Sequence, residues 1–210
     1  MPISLGELAT RFGCELDGDP DTRVGHVASL GAAGPGDLGF FTNSRLASQL
    51  VATRASAVVA RDEDAGTAPC AVLVSDNPYA TFARIATLLH PPSAVRAGVH
   101  AQASIDPDAR IAASAEIGAN AVVGAGAVIG ERCLVGPGCF VGPDCRIGDD
   151  TRLVANVTLA RKVLLGERCL IHPGAVLGAD GFGNAMTPEG WVKVPQIGGV
   201  RIGNDVEIGA

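Results

Sequence analysis

Large side chains are what this sequence has least of. Its 210 residues include six Phe, one Tyr and one Trp, although 47% of the chain is hydrophobic. Aromatic rings normally supply much of a compact core, so this core has to be assembled from Ala, Val, Ile and Leu. No apolar run approaches the ~20 residues of a membrane span. The opening segment MPISLGELATRFG lacks the basic start and apolar stretch of a secretory signal, so a cytoplasmic protein is expected. Positive charge is not in excess: 16 Lys and Arg against 22 Asp and Glu leave −6. The chain as a whole therefore has no attraction for nucleic acid. Six cysteines form no C-x-x-C pair, and the four histidines are scattered; neither a zinc site nor any other metal or cofactor is expected. Without an export signal a disulfide framework is not expected either. Gly, at 28 residues, is abundant but far from every third position, which excludes collagen.

What is present is a period. From Val99 an aliphatic residue returns every sixth position: Val99, Ile105, Ile111, Ile117, Val123, Ile129, Val135, Val141, Ile147, Leu153, Leu159, Leu165, Ile171, Leu177. Four residues after each stands a small or β-branched one, from Ala103 and Ala109 through Cys133, Cys139, Cys145 and Cys169 to Ala175. Gly often follows the aliphatic residue, as at 118, 136, 142 and 148. Six is even, so every copy turns the same strand face inward; on a helix the same spacing would drift around the axis. Short strands with tight corners must then wrap into a stacked solenoid. Cysteines at the small inward position act there as compact hydrophobes.

This pattern resembles the hexapeptide-repeat acyltransferases. The resemblance implies a left-handed parallel β-helix with three hexads per coil, a handedness that the period alone does not give. Fourteen hexads would make nearly five coils, too narrow inside for aromatic rings.

Residues 1–97 have a different texture and predict a small α/β domain, joined near 93–98 to a solenoid over 98–210. Ser4-x-x-Glu7 is a capping box with Ile3 and Leu8 as a staple, and Gly13 should end the helix. Asn77-Pro78 starts a second helix whose apolar face is Phe82, Ile85, Ala86 and Leu89. Ala55–Ala60 and Cys70–Val74 read as strands. In GDLGFFTNSRLASQL (36–50), Phe40 and Phe41 end a strand and Asn43 or Ser44 caps the next helix. Two readings stay open there: a core Phe beside an N-cap, or an aromatic platform with an amide that holds a nucleobase.

After Leu177 the hexads break and resume at Ile202 and Ile208, which places a loop insertion at about 179–196. Its Gly178-x-x-Gly181-x-Gly183 is not a dinucleotide fingerprint. The run DGFG…WVKVPQIGGVRIG…VEIGA, the Phe40-x-x-Asn43 pattern and the helix NPYATFARIATLLHPP resemble the UDP-3-O-(3-hydroxyacyl)glucosamine N-acyltransferases of lipid A biosynthesis. That family moves a 3-hydroxyacyl group from acyl carrier protein to the 2-amine of UDP-3-O-acylglucosamine. It works as a homotrimer with active sites between solenoids. The resemblance implies that Phe40 and Asn43 hold uracil, and that Phe182, Lys193 and Gln196 border the sugar-nucleotide or acyl channel. Two departures stand out. Leu46 occupies the place of a Tyr that helps to sandwich uracil. The family's catalytic His and its C-terminal helical segment lie beyond the matched stretch, so a longer enzyme is expected, with no catalytic residue within 1–210. His172, next to inward Ile171, is the one positional stand-in for the base. Rival readings are a non-catalytic sugar-nucleotide-binding or scaffold protein, and another hexapeptide O-acyltransferase or acetyltransferase.

Overall fold

The computed structural model describes all residues from Met1 to Ala210, in two compact units, Met1–Ser93 and Ala94–Ala210. No helix is long and apolar enough to cross a membrane.

The first unit is built on a five-stranded sheet. Four strands are parallel: His26–Val27, Asp37–Phe40, Ala57–Ala60 and Ala71–Val74, with Glu15–Asp17 antiparallel at one edge. Both faces of such a sheet must be covered, and the side-chain alternation shows how. Ala57, Val59, Leu38 and Leu73 meet Leu5, Leu8 and Ile85 on one side, whereas Val58, Ala60 and Val72 meet Leu30, Phe41 and Leu50 on the other. The first helix, Leu5–Phe12, starts on Ser4, whose hydroxyl accepts the Glu7 N–H, and stops at Gly13 in the left-handed region (φ 67°). The long helix Pro78–Leu89 starts on Asn77, whose side chain accepts the Ala80 N–H. Both caps satisfy donors that a helix start leaves unpaired.

The second unit is the left-handed parallel β-helix. Each wall strand is two or three residues long and, up to the insertion, pairs with the strand 18 residues on, as Ile117 does with Val135 and Val135 with Leu153. Three parallel sheets result. We number its faces in chain order: face one begins with Gly98–Val99, face two with Ser104–Ile105 and face three with Arg110–Ile111. The sixfold aliphatic residue points in and the one before it points out: Ile117, Val123, Ile129, Val135 and Val141 are buried, whereas Val122 and Phe140 are exposed. The small positions from Ala115 to Ala175 are buried too, and all four solenoid cysteines lie among them as free thiols. Burial pushes the Cys133 thiol up to about 11, so it stays protonated and inert.

The glycines after the aliphatic residue have a steric cause. A Cβ on Gly118 would stand 2.8 Å from Pro137 N, and one on Gly148 2.6 Å from the Gly166 carbonyl carbon. At Gly136 and Gly142 the next coil's carbonyls come closer still. Two residues on, the corner needs a left-handed φ, and eight non-glycine residues adopt it, among them Asn120, Arg132, Asp150, Lys162 and Arg168. That conformation costs an L-residue roughly 1–2 kcal/mol. Two of the corners add ion pairs between coils: Arg132 grips Asp150 through two 2.7 Å bonds, and Arg168 grips Asp205 at 2.7 and 2.9 Å. The guanidinium holds each carboxyl below its ordinary range.

The insertion interrupts one coil. Leu165 pairs with Ile202, and the ion pair on the same coils spans 37 residues where the one before it spans 18, so 19 residues leave the wall and return. They carry an antiparallel hairpin, Asn184–Thr187 with Gly190–Lys193.

Candidate functional site

In the first unit the chemistry gathers beyond the carboxyl ends of the parallel strands, where open α/β sheets hold ligands. Phe40 is the last residue of its strand, and its neighbour Phe41 is buried on the opposite side against Leu50. Core packing therefore takes Phe41 completely but Phe40 only in part. The Phe40 ring lies 4.5 Å from Phe82 and 5.2 Å from Tyr79, centroid to centroid, each tilted by 36°. Tyr79 stays 64% exposed. Asn43 caps a 3-10 turn, Ser44–Leu46, by accepting the Arg45 N–H at 3.0 Å. With its carbonyl oxygen taken, its side-chain NH2 retains two donors for a ligand carbonyl. Leu46 is exposed beside them in sequence and offers an aliphatic edge only. A cleft of about 430 Å³ opens two strands away, beyond Ala71–Val74, lined by Glu15, Asp76, Asn77 and Arg84 among others.

Tyr79 was hidden in the sequence because Asn77-Pro78-Tyr79 reads as a helix start. Nothing local says that its ring lies against a residue 39 positions earlier.

In the second unit the insertion is clasped at its root. Lys193 Nζ donates to the Gly181 carbonyl at 2.7 Å, and Arg161 donates to the Gln196 carbonyl. Gln196 packs under the DGFG turn: a Cβ on Gly183 would meet Gln196 Nε2 and Val194 Cβ, both at 3.1 Å. The glycines and Gln196 are thus one packing unit. Lys193 and Gln196 hold the loop's shape, and Phe182, two residues before the hairpin, is left fully exposed. Trp191 faces Met186 across the hairpin, both largely exposed. A pocket of about 160 Å³ at the root is lined by Arg161, Asp180, Gln196 and Val200. Arg161 had no sequence signal, since its partner lies 35 residues on.

His172 follows the face-one strand Leu170–Ile171, and its Nε2 lies 2.6 Å from Glu207 Oε1 on the next coil. This is the one histidine held by a carboxylate, an arrangement that orients an imidazole. The structure gives it no hydrogen bond to the loop residues Phe182, Lys193 or Gln196. No group of three or more His, Cys, Asp or Glu is placed to hold a metal ion.

Comparison with known proteins finds both halves. Residues 21–88 match the family described as UDP-3-O-(3-hydroxymyristoyl) glucosamine N-acyltransferase, and residues 96–131 and 126–161 match the bacterial transferase hexapeptide. A protein from Xanthomonas axonopodis pv. citri, named UDP-3-O-acylglucosamine N-acyltransferase, is 51% identical over 210 residues, all of this chain and 62% of its own length. One of the same name from Xanthomonas campestris pv. campestris is 55% identical over the same span. This chain therefore spans about three fifths of those relatives. Among solved structures, the acetyltransferase domain of PglB from Neisseria gonorrhoeae FA1090 overlaps 89% of this chain and 97% of its own. At 16% identity and a TM-score of 0.37, that overlap is too loose to argue from.

Proposed function

On the premise that this chain is related along all its 210 residues to UDP-3-O-acylglucosamine N-acyltransferases, we propose that it works in the same N-acyl transfer. The acceptor is then the 2-amine of a UDP-3-O-acylglucosamine, and the donor a 3-hydroxyacyl thioester on acyl carrier protein. The observation that carries this is the Phe40–Tyr79 pair beside the free amide donors of Asn43. A uracil ring stacks on an aromatic face and accepts hydrogen bonds at its two carbonyls, and this end of the sheet offers both.

The chemistry is attack of the amine nitrogen on the thioester carbonyl, loss of the carrier thiolate and transfer of the amine proton to a base. Within this chain the only candidate base is His172, oriented by Glu207. The loop from Gly178 to Gly198 supplies exposed apolar surface, with Phe182 foremost, for an acyl chain. Lys193 and Gln196 act there by shaping the loop. A homotrimer in the cytoplasm belongs to the same reading. It is supported by face two, whose outward row Val122, Phe140, Thr158, Val176 is uncharged and gives subunits an apolar strip to bury.

A second reading, sugar-nucleotide binding without turnover, is favoured by the absence of any hydrogen bond between His172 and the loop. One experiment addresses both: titration with UDP and with ADP, alongside acyl transfer from 3-hydroxyacyl carrier protein. Acyl transfer requires the first reading. UDP binding without transfer favours the second. No preference for UDP over ADP removes Phe40 and Asn43 as a nucleobase site.

A further inference from the structure

The pocket of about 160 Å³ at the root of the insertion holds a carboxylate and a guanidinium that do not pair with each other. Asp180 opens the DGFG turn, and its carboxylate takes part in no hydrogen bond or ion pair. Arg161 follows the strand Thr158–Leu159 and donates one of its N–H groups to the Gln196 carbonyl, which leaves other donors of the guanidinium free. The ion pairs that tie coil to coil lie at another corner, Arg132 with Asp150 and Arg168 with Asp205, so wall-building accounts for neither charge. Three glycines line the same pocket, for different reasons. Gly178 has a left-handed φ of 79°, and a Cβ there would stand 2.9 Å from Val163 Cγ2; one on Gly199 would stand 2.5 Å from the Lys162 carbonyl oxygen. Packing of the wall explains both. It does not explain Gly198, where no heavy atom lies within 4 Å of an added Cβ and φ is not left-handed. The missing side chain at 198 keeps the pocket open and does nothing else for the fold.

A carboxylate alone would call for a cation, and a guanidinium alone for an anion. With both on one small pocket, either sign of charge is repelled by one of the two. A neutral group that donates to Asp180 and accepts from Arg161 satisfies both, and a hydroxyl does so through a single oxygen. The volume suits a small group: a cavity of about 150 Å³ holds a molecule the size of benzene. The surroundings of the pocket are apolar. Phe182 stands two residues after Asp180, and Ile197 stands between Gln196 and Gly198; they are 103% and 79% exposed. A sugar would bring several hydroxyls and no apolar chain to cover these two side chains. One polar pocket between apolar surfaces instead matches a hydrocarbon chain that carries one hydroxyl.

We propose that the root pocket is the subsite that reads the 3-hydroxyl of the donor acyl chain. Asp180 accepts its O–H, Arg161 donates to its oxygen, and Phe182 and Ile197 cover methylenes on either side. This rests on the acyl-transfer reading for the identity of the ligand and on the pocket's own geometry for the site. A site built to hydrogen-bond a hydroxyl discriminates against the analogue that lacks it, because its polar groups are then covered without a partner.

Calorimetric titration of the whole 210-residue chain with the N-acetylcysteamine thioesters of 3-hydroxydodecanoic and dodecanoic acid tests this directly. The wild type should bind the hydroxyacyl thioester roughly tenfold more tightly, the scale of a hydrogen bond to a charged group. Asp180→Ala and Gly198→Val should each bring the two affinities together, the first by removing the acceptor and the second by filling the pocket. Asp180→Asn, which still accepts a hydrogen bond, should keep part of the difference. Glu189→Ala removes the same charge from the hairpin turn and should leave the ratio unchanged. The readout is the ratio of two affinities within one variant, so a loosened loop, which weakens both thioesters alike, does not imitate the effect. A wild-type preference that survives in both Asp180→Ala and Gly198→Val overturns the proposal. So does displacement of the hydroxyacyl thioester by millimolar inorganic phosphate, which would make the pocket an anion site. Equal binding of the two thioesters by the wild type overturns the subsite and leaves the acyl-transfer reading standing. Failure to bind either thioester removes both.

Discussion

Replacing Thr151 by Val tests the internal logic of the solenoid most directly. Thr151 is completely buried in a column of small inward residues with Cys133 and Cys169 one coil away on either side. Its hydroxyl donates to the Gly166 carbonyl at 2.8 Å and accepts the Cys169 N–H at 3.0 Å. No buried polar side-chain atom lacks a partner. Val has nearly the same shape, so the substitution leaves no cavity; it strands one donor and one acceptor away from water. Each buried group without a partner costs about 1–3 kcal/mol, and the added methyl returns about 0.8 kcal/mol. The net loss should be about 1–5 kcal/mol. Thr151→Ser keeps both hydrogen bonds and loses a methyl, for about 1 kcal/mol. Thr151→Cys should fall between, because a thiol can donate to the carbonyl as Cys133 and Cys169 already do, at 3.0 and 3.1 Å, but accepts poorly. Urea unfolding followed by far-UV circular dichroism gives the order. A Val variant as stable as the wild type would refute the reasoning, since it would mean that burial alone, and not the corner hydrogen bonds, sets the stability of the column.

Tyr79→Ala should raise the Kd for UDP by about 5- to 150-fold, the equivalent of 1–3 kcal/mol of stacking, with little loss of stability because the ring is mostly exposed; calorimetric titration reads it, and an unchanged Kd removes Tyr79 from the site. Lys193→Met should release the Gly181 carbonyl and make the 178–198 loop the first place cut in limited proteolysis, while the unfolding midpoint moves little. The Cys133 thiol, raised by burial to about 11, contributes to stability below the ordinary thiol range near 8.5. That contribution fades as pH rises toward 11, because the unfolded chain ionises first. Stability measured from pH 8 to 11 should accordingly fall less in Cys133→Ala than in the wild type, and parallel curves would contradict this.

Period and composition made the solenoid legible before any coordinates. The sixfold aliphatic row, the small residue four places on and the scarcity of aromatics all follow from one narrow, repeating interior. Each is a local constraint, and the same in every coil. The helix starts at Ser4 and Asn77 were legible for the same reason, since a cap acts within one turn. The insertion could be placed because it breaks the period, though its hairpin carries no hexad and had to be seen.

The site is another matter. Phe40 and Asn43 could be named from their spacing, but not that Phe41 takes the core position, that Asn43 spends its carbonyl on Arg45, or that Tyr79 closes against Phe40. The clasp of the loop by Arg161 and Lys193, and the pocket that Arg161 and Gln196 line at its root, were equally invisible. Such contacts join residues dozens of positions apart, and only the pairing of strands in register decides which of them meet. The sequence by itself determined a repeating core, because inward packing is periodic. Tertiary structure alone decided which surface residues face one another, because what stands outside the core obeys no period.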